Sequence, residues 1–417
     1  MRPTPLAGWL TGAGALTALV LPPSIAITIV AALLVMTAID AWSVRNPPDV
    51  TRTAPHILSR GVPEALTITL GRRAFTTQVR QPARPDVEVV PAEADGGLDA
   101  EIVATRRGRH LLPAVATRST GVLRLGRAFH RVGEDTELLV YPDMATAHRL
   151  AAAVRSGRFV QEGRRRRGPL GLGTDFESIR DYLPDDDIRQ VNWRATERMG
   201  KPMSNQWRVE QDRDVIIVVD TGRLMGSPAG ATGDRTRLDA AVDAAAAVAL
   251  VADVLGDRAG LIAFDASIHR LVPPGRAGGD RVVRAVFDLE PSEAESDYHL
   301  AFSRVGGAKR SFVLVLTDLL DEAAAHNLLE ATAVVGRRHS VTIAGVIDHD
   351  IDEAISTDPA GMDDVWRAVV AADVLDARAR VSERLTHAGA RVVEAPPESL
   401  SARCVGAYLR AKAGARV

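Results

Sequence analysis

Residues Asp214 to Met225 read DVIIVVDTGRLM, and no other stretch limits the fold so tightly. Five consecutive β-branched residues, Val215 to Val219, run into Asp220, and Thr221-Gly222 turns the chain. Such a run leaves no wet face. It reads as a strand buried on both sides, which is the environment of a parallel sheet covered by helices. In open α/β sheets, function collects beyond the carboxyl ends of such strands. Asp220 therefore stands where a carboxylate can meet a cation or a partner.

The rest of 214–417 carries the same alternation. Strands are expected at 214–220, 259–264, 311–318, 340–347 and 390–394, and helices at 236–255, 278–289, 322–336, 362–386 and 398–412. Alternation of this kind predicts a doubly wound α/β domain with a parallel sheet. The 236–255 helix is alanine-rich and apolar nearly all round, as a helix packed on a sheet should be. The run LIAFDASIHRLVPP (261–274) reads as two tightly joined strands, so one edge strand is expected to be antiparallel. Asp318, in VLVLTDLLDE, ends another buried strand and is expected to converge with Asp220. The cluster Asp348, Asp350, Asp352 and Glu353 reads as a solvated loop, because it lacks EF-hand spacing.

At the other end of the chain, Leu6 to Leu21 and Ser24 to Ile39 are apolar and uncharged, separated by Pro22-Pro23. This predicts a transmembrane helical hairpin over 1–45, with Trp9 and Trp42 as interfacial anchors on one face. Arg2 and Arg45 flank it, which places both ends and the bulk of the chain in the cytoplasm by the positive-inside rule. The apolar region is too long for a cleaved signal peptide.

Residues 46–60 are polar and proline-bearing and read as a linker. From 61 to 143, short alternating runs at roughly ten-residue spacing predict a small β-sandwich. A helix from Met144 to Ser156 opens the segment 144–213, followed by the basic stretch Arg164 to Arg167. Two readings of that stretch stand: a solvated linker, or a grip on anionic membrane lipid.

Composition narrows the function. The charges nearly cancel, at 51 basic against 53 acidic, so no nucleic-acid partner is expected. One cysteine, Cys404, excludes an intramolecular disulfide and reads as a buried, inert thiol. The sequence has no G-x-x-x-x-G-K-[ST], G-x-S-x-G or H-E-x-x-H motif, and its ten histidines are scattered. No enzyme chemistry is expected.

The stretch GTDFESIRDYLPDDDIRQVNWRATERMGKP (173–202) resembles the signature of domain-of-unknown-function family 58 in bacteria. The matching residues are Phe176, Arg180, Tyr182, Pro184, Asp186, Asp187, Arg189, Trp193 and Arg198. Departures are Asp175, Asp185, Asn192 and Met199. Arg180, Asp186, Asp187 and Arg189 read either as an ion-pair network or, with Trp193, as a partner-docking surface. The order of parts resembles that family too, and DVIIVVDTGRLM resembles the first strand and loop of von Willebrand factor A domains (Rossmann-like). The resemblance implies a membrane-anchored adaptor working with a MoxR-type AAA+ ATPase to assemble or activate other membrane or envelope proteins. The rival classes are a metal-dependent hydrolase and an extracytoplasmic adhesion protein.

In von Willebrand A domains the first loop supplies an aspartate and two serines to a metal-ion-dependent adhesion site. Here the serine positions are Gly222 and Leu224, so the site resembles a degenerate one. Asp220, Ser296 (or Asp297) and Asp318 are the remaining candidate ligands of a weak or lost site; no cofactor is expected, and magnesium is the ion such ligands would suit. The alternative is that Asp220 and Asp318 cap helix N-termini. Asp220 and Thr221 are also candidates for partner contact.

Overall fold

A computed structural model describes residues 2–71, 76–159, 175–183, 191–208, 213–230, 235–306, 310–318, 322–347 and 349–414. The chain divides into two compact units, Met1–Tyr141 and Pro142–Val417.

The first unit begins with β1 (Arg2–Pro3), α1 (Pro5–Leu16) and α2 (Pro23–Ser43). The strands β2 (Val50–Thr53), β3 (Ile57–Ser59), β4 (Glu64–Leu70), β5 (Thr76–Arg80), β6 (Val87–Val90) and β7 (Glu93–Asp95) follow. They continue with β8 (Gly97–Ala104), β9 (Gly108–Leu112), β10 (Val115–Thr120), β11 (Gly126–Val132) and β12 (Thr136–Tyr141). Three sheets form, in the orders β1-β11-β10-β5-β7, β3-β12-β9 and β2-β4-β8-β6. Alternate residues turn inward, such as Leu66 and Ile68 of β4 and Leu98 and Ile102 of β8, and they build one apolar core.

One expectation fails here, and a second is supported in part. Residues 46–60 are not a linker, because they supply β2, paired with β4, and β3, paired with β12. Of the two expected spans, only the second is supported by helix length. α1 is 12 residues long, and Thr17–Leu19 tightens into a 3₁₀ turn ahead of Pro22. At 1.5 Å per residue α1 covers only about 18 Å, well short of a hydrocarbon core of about 30 Å. Among the described residues one helix, α2, is long and apolar enough to cross a membrane, at 21 residues.

The second unit opens with α3 (Met144–Arg155), then β13 (Asp175–Asp181), α4 (Trp193–Met199) and β14 (Met203–Arg208). β13 and β14 pair as an antiparallel hairpin around α4. β15 (Asp214–Asp220), β16 (Pro228–Ala229), β17 (Arg235–Thr236), α5 (Arg237–Val254), β18 (Arg258–Phe264) and β19 (Ile268–Gly275) come next. The chain ends through α6 (Gly278–Val286), α7 (Tyr298–Ser303), β20 (Phe312–Leu316), α8 (Glu322–Val335), β21 (Ser340–Val346) and α9 (His349–Ser356). Last are α10 (Met362–His387), β22 (Arg391–Ala395) and α11 (Pro397–Gly414).

A six-stranded sheet has the order β19-β18-β15-β20-β21-β22. Every pairing is parallel except β18 with β19, the antiparallel edge. Ile216 and Val218 face a core shared with α7, α8 and α10. Their neighbours Val215, Ile217 and Val219 are equally buried and point to the other face, against α5. Burying each such side chain stabilises by about 1.5–3 kcal/mol, so the apolar run fixes this strand at the centre. α5 starts on a Thr236–Asp239 capping box and is buried nearly throughout. α3 packs on α5, where Asp243 accepts the backbone N–H of Asp143 at 2.9 Å. Asp350, Asp352 and Glu353, expected in a loop, lie instead in α9, and Asp348 lies outside the described residues.

Candidate functional site

Three carboxylates stand just beyond the carboxyl ends of neighbouring parallel strands, and each is closed by its own partners. Asp220, the last residue of β15, is buried. Its Oδ1 accepts the backbone N–H of Gly222 at 2.7 Å and the Ser296 hydroxyl at 2.5 Å. Its Oδ2 accepts the Thr317 hydroxyl at 2.6 Å and the Tyr298 hydroxyl at 3.0 Å. Tyr298 and Thr317 also lie 2.8 Å apart. Each hydroxyl carries one hydrogen, so two hydrogens serve three contacts. Burial, and then the nearby Asp220 charge, push the Tyr298 phenol well above its ordinary value, so it remains a donor at neutral pH.

Local sequence explains the arrangement. Thr221 donates from its N–H and its hydroxyl to the Phe264 carbonyl, at 2.7 and 2.9 Å, tying the end of β15 to β18. The loop 292–296 lies across this turn through Ser292 N–H to Thr221 and Arg223 N–H to Ala294. Gly222 is required for space: a side chain there would strike Ser296 Oγ and crowd the Ala294 carbonyl. Asp297 caps α7 by accepting the Leu300 N–H at 3.0 Å, which sets Tyr298 at the start of that helix.

Asp318 has a different solution. Arg237, the first residue of α5, pairs with its Oδ2, and Arg378 of α10 stands 3.8 Å from its Oδ1. All three side chains are buried. A buried carboxylate needs compensation in place, and two guanidinium groups supply it here.

Asp265, just past β18, accepts the Ser267 N–H at 2.8 Å and contacts His269 Nε2 at 2.6 Å. Burial alone would raise this carboxyl. The hydrogen bonds from His269, Ser267 and Ser292 override it and hold the group at about 2.

Of the residues expected from sequence, Asp220 and Ser296 are therefore joined, whereas Asp318 takes separate partners. Among the described residues, neither aspartate accepts a helix-capping N–H bond. The donors do not fit a divalent cation. Both oxygens of Asp220 are occupied, Gly222 has no side chain to offer, and Asp318 is already neutralised. No group of three or more His, Cys, Asp or Glu that could hold a metal occurs among the described residues. Asp220 and Thr221 are buried, so neither reaches a partner without rearrangement. Arg180, on β13, donates to the Asp181 carbonyl at 3.0 Å. Trp193 is 70% exposed at the start of α4, which Asn192 caps. Asp186, Asp187 and Arg189, and Arg164 to Arg167, lie outside the described residues. His339 accepts the Ser311 N–H, and burial lowers its pKa. Cys404 is fully buried, which pushes its thiol up to about 12.

Sequence reading missed Arg237, Arg378, Tyr298 and Thr317. It also missed an apolar stripe on α10. Met362, Val365, Trp366, Val369 and Val370 are all exposed and recur at helical spacing. Arg378 meets Asp318 just past β20, so the turns of α10 before it run on beyond the sheet edge. Over these turns α10 also carries Asp363, Asp364, Asp373 and Asp376 against the single Arg367, so the stripe has an acidic rim on its own helix.

A Bacteroides ovatus GH5 xyloglucanase in complex with a XXXG heptasaccharide aligns at 9% identity, covering 83% of this chain and 65% of its own. Its TM-score of 0.14 is too low to carry an argument. Uncharacterized protein Rv1480 of Mycobacterium tuberculosis and Uncharacterized protein Mb1516 of Mycobacterium bovis are each 26% identical over 227 residues. Those alignments cover 48% of this chain and 69% of each relative. Residues 178–360, which include Asp220, Arg237, Asp265, Ser296, Tyr298, Thr317 and Asp318 but neither Arg378 nor the α10 stripe, match the family described as Protein of unknown function DUF58.

Proposed function

We infer that the chain is a membrane-anchored adaptor without enzyme chemistry, whose second unit is a von Willebrand A-like domain with a closed adhesion site. The observation that carries this reading is the pairing of Asp318 with Arg237 and Arg378. Positive charge that a bound metal would bring is built into the protein as two fixed guanidinium groups. Partner binding is therefore metal-independent. The strand order around β15 and the position of Asp220 at its carboxyl end support the fold assignment.

The partner surface is the α10 stripe with its acidic rim, on the same edge as the three carboxylates. Exposed aromatic and aliphatic residues at one site are typical of interface anchors. The family resemblance supplies the partner class, a MoxR-type AAA+ ATPase, and α2 supplies the anchor, with the second unit in the cytoplasm.

The test is a pull-down of tagged full-length protein from its own membranes with ATP or ADP present. An ATPase enriched in one nucleotide state and lost with Trp366→Ala is the expected result. Magnesium binding by the full-length protein in the absence of nucleotide and ATPase contradicts the closed site. Absence of any ATPase removes the partner.

A further inference from the structure

The first unit holds its apolar helices by one turn. The segment Gly121 to Gly126, which joins β10 to β11, presents three N–H groups to the Asp40 carboxylate near the end of α2. Asp40 Oδ1 accepts from Leu123 at 3.0 Å, and Oδ2 accepts from Leu125 at 2.8 Å and Gly126 at 2.9 Å. Arg124 takes a positive φ of 57° to complete the turn. Asp40 is only 4% exposed. Gly126 lies so close to α2 that a side chain there would strike the Ala41 backbone. The same turn holds the start of α1: Thr4 donates from its hydroxyl to the Arg124 carbonyl at 2.6 Å and from its N–H to Leu125 at 2.8 Å. β1 pairs with β11 at Arg127 and Gly126. Both ends of the helical pair are therefore clamped at one level.

That level is fixed along α2. Its 21 residues span about 31 Å, matching a hydrocarbon core of about 30 Å. Asp40 sits in the last turn, so the clamp lies at the boundary where apolar chain gives way to headgroups. Two residues of the turn point outward there without any core to enter: Val122 is 68% exposed and Leu123 48%. Trp42 lies two residues beyond Asp40, also exposed, with the Arg45 guanidinium 3.9 Å from its ring centre. The turn and its flanks carry Arg118, Arg124 and Arg127 and no acid, whereas Arg131, farther along β11, pairs with Asp135; before Asp49 the only acid is Asp40, already held by the turn.

We propose that the β10–β11 turn is a membrane-contacting element, with Val122 and Leu123 entering the interface and the surrounding arginines meeting anionic phospholipid headgroups. The inference rests on the reading that α2 is inserted in a membrane. The apolar tip continues the apolar surface of α2, and the negative surface potential of an anionic leaflet attracts the arginines beside it. The turn then fixes the first unit against the bilayer and prevents it from pivoting on α2.

The experiment places single cysteines in the full-length chain at Leu123 (Leu123→Cys), in α2 (Ile27→Cys) and elsewhere on the first unit (Ile57→Cys). Each is labelled with an environment-sensitive nitrobenzoxadiazole dye. Cys404 is fully buried and stays unlabelled in the folded protein. The protein is reconstituted in phosphatidylcholine vesicles with and without phosphatidylglycerol. The expected result is a blue-shifted emission at 123, quenched by shallow but not deep spin-labelled lipid, with 27 quenched deep and 57 unquenched. The blue shift at 123 should shrink when phosphatidylglycerol is left out. A dye at 123 as wet as that at 57, while 27 reports the bilayer, overturns the proposal and leaves the anchor standing. Dyes at 27 and 123 both in water overturn the anchor itself. Equal burial at 123 in both vesicles overturns the anionic headgroup as the ligand.

Discussion

Asp220 and Asp318 end adjacent strands of one sheet, both are buried, and they are compensated in opposite ways. Asp220 is surrounded by dipoles: one backbone N–H and three hydroxyls. Asp318 is surrounded by charge, with Arg237 and Arg378. Hydroxyls can rotate and exchange roles as donor and acceptor. A guanidinium cannot, and it carries its own desolvation cost. The Asp220 cluster should therefore tolerate the loss of one member, whereas the Asp318 cluster should not.

The largest expected effect follows from that difference. Arg237→Ala leaves Asp318 with only the more distant Arg378, and breaking a buried pair this way costs about 3–5 kcal/mol. Urea denaturation of the variant should show the loss in the transition of the second unit. Asp220→Asn keeps the shape and the acceptor oxygen while its amide meets hydroxyls that can turn, so about 1–3 kcal/mol is expected in the same assay. A cost for Asp220→Asn above that of Arg237→Ala would invert the comparison and show that dipoles, not cations, hold this edge together.

Tyr298→Phe removes one donor from a carboxylate that keeps three, at about 1 kcal/mol. It should also change the alkaline limb of stability. The folded phenol has a raised pKa, so its contribution is complete below the unfolded value of about 10 and is lost as pH rises above it. The variant should show a shallower loss in that window.

Asp265 supplies the acid counterpart. Its folded pKa of about 2 lies below the ordinary aspartate value of 3.8, so its contribution is present above about pH 4. It is lost as pH falls from there toward about 2. His269→Ala should flatten this stretch of the stability profile, because His269 gives the leading hydrogen bond that depresses the group. The smallest effect is expected from magnesium. Adding it should leave the thermal midpoint of the wild type unchanged, and a concentration-dependent rise would reopen the metal reading.

The α/β unit was legible because its strands are continuous apolar runs, which have few alternative fates. β15, β18, β20, β21 and β22 lie within two residues of the expected limits at each end. The antiparallel edge strand was legible too, from the short joint at Asp265 to Ser267. The edge pieces of the first unit were not. β2 alternates half-buried and exposed residues, and β3 has three residues, so neither carries a period that stands out from a polar, proline-bearing stretch. α9 was hidden because its acidic residues resemble a cation loop. The site was half legible. Asp220 and Ser296 could be paired by resemblance, and Thr317 sits beside Asp318 in the sequence. Arg237 and Arg378 could not be found, since an arginine at the start of one helix and another deep in a second gives no local sign that both turn inward to one carboxylate.

A change at Gly222 is also a change at Ser296. Because any side chain at this position would collide with Ser296 Oγ, Gly222→Ser alone rebuilds no ligand and instead displaces the hydroxyl already bonded to Asp220. Placing a serine at 222 requires Ser296 to shrink at the same time, and Arg237 would still occupy Asp318. One substitution at this turn therefore does not build a metal site.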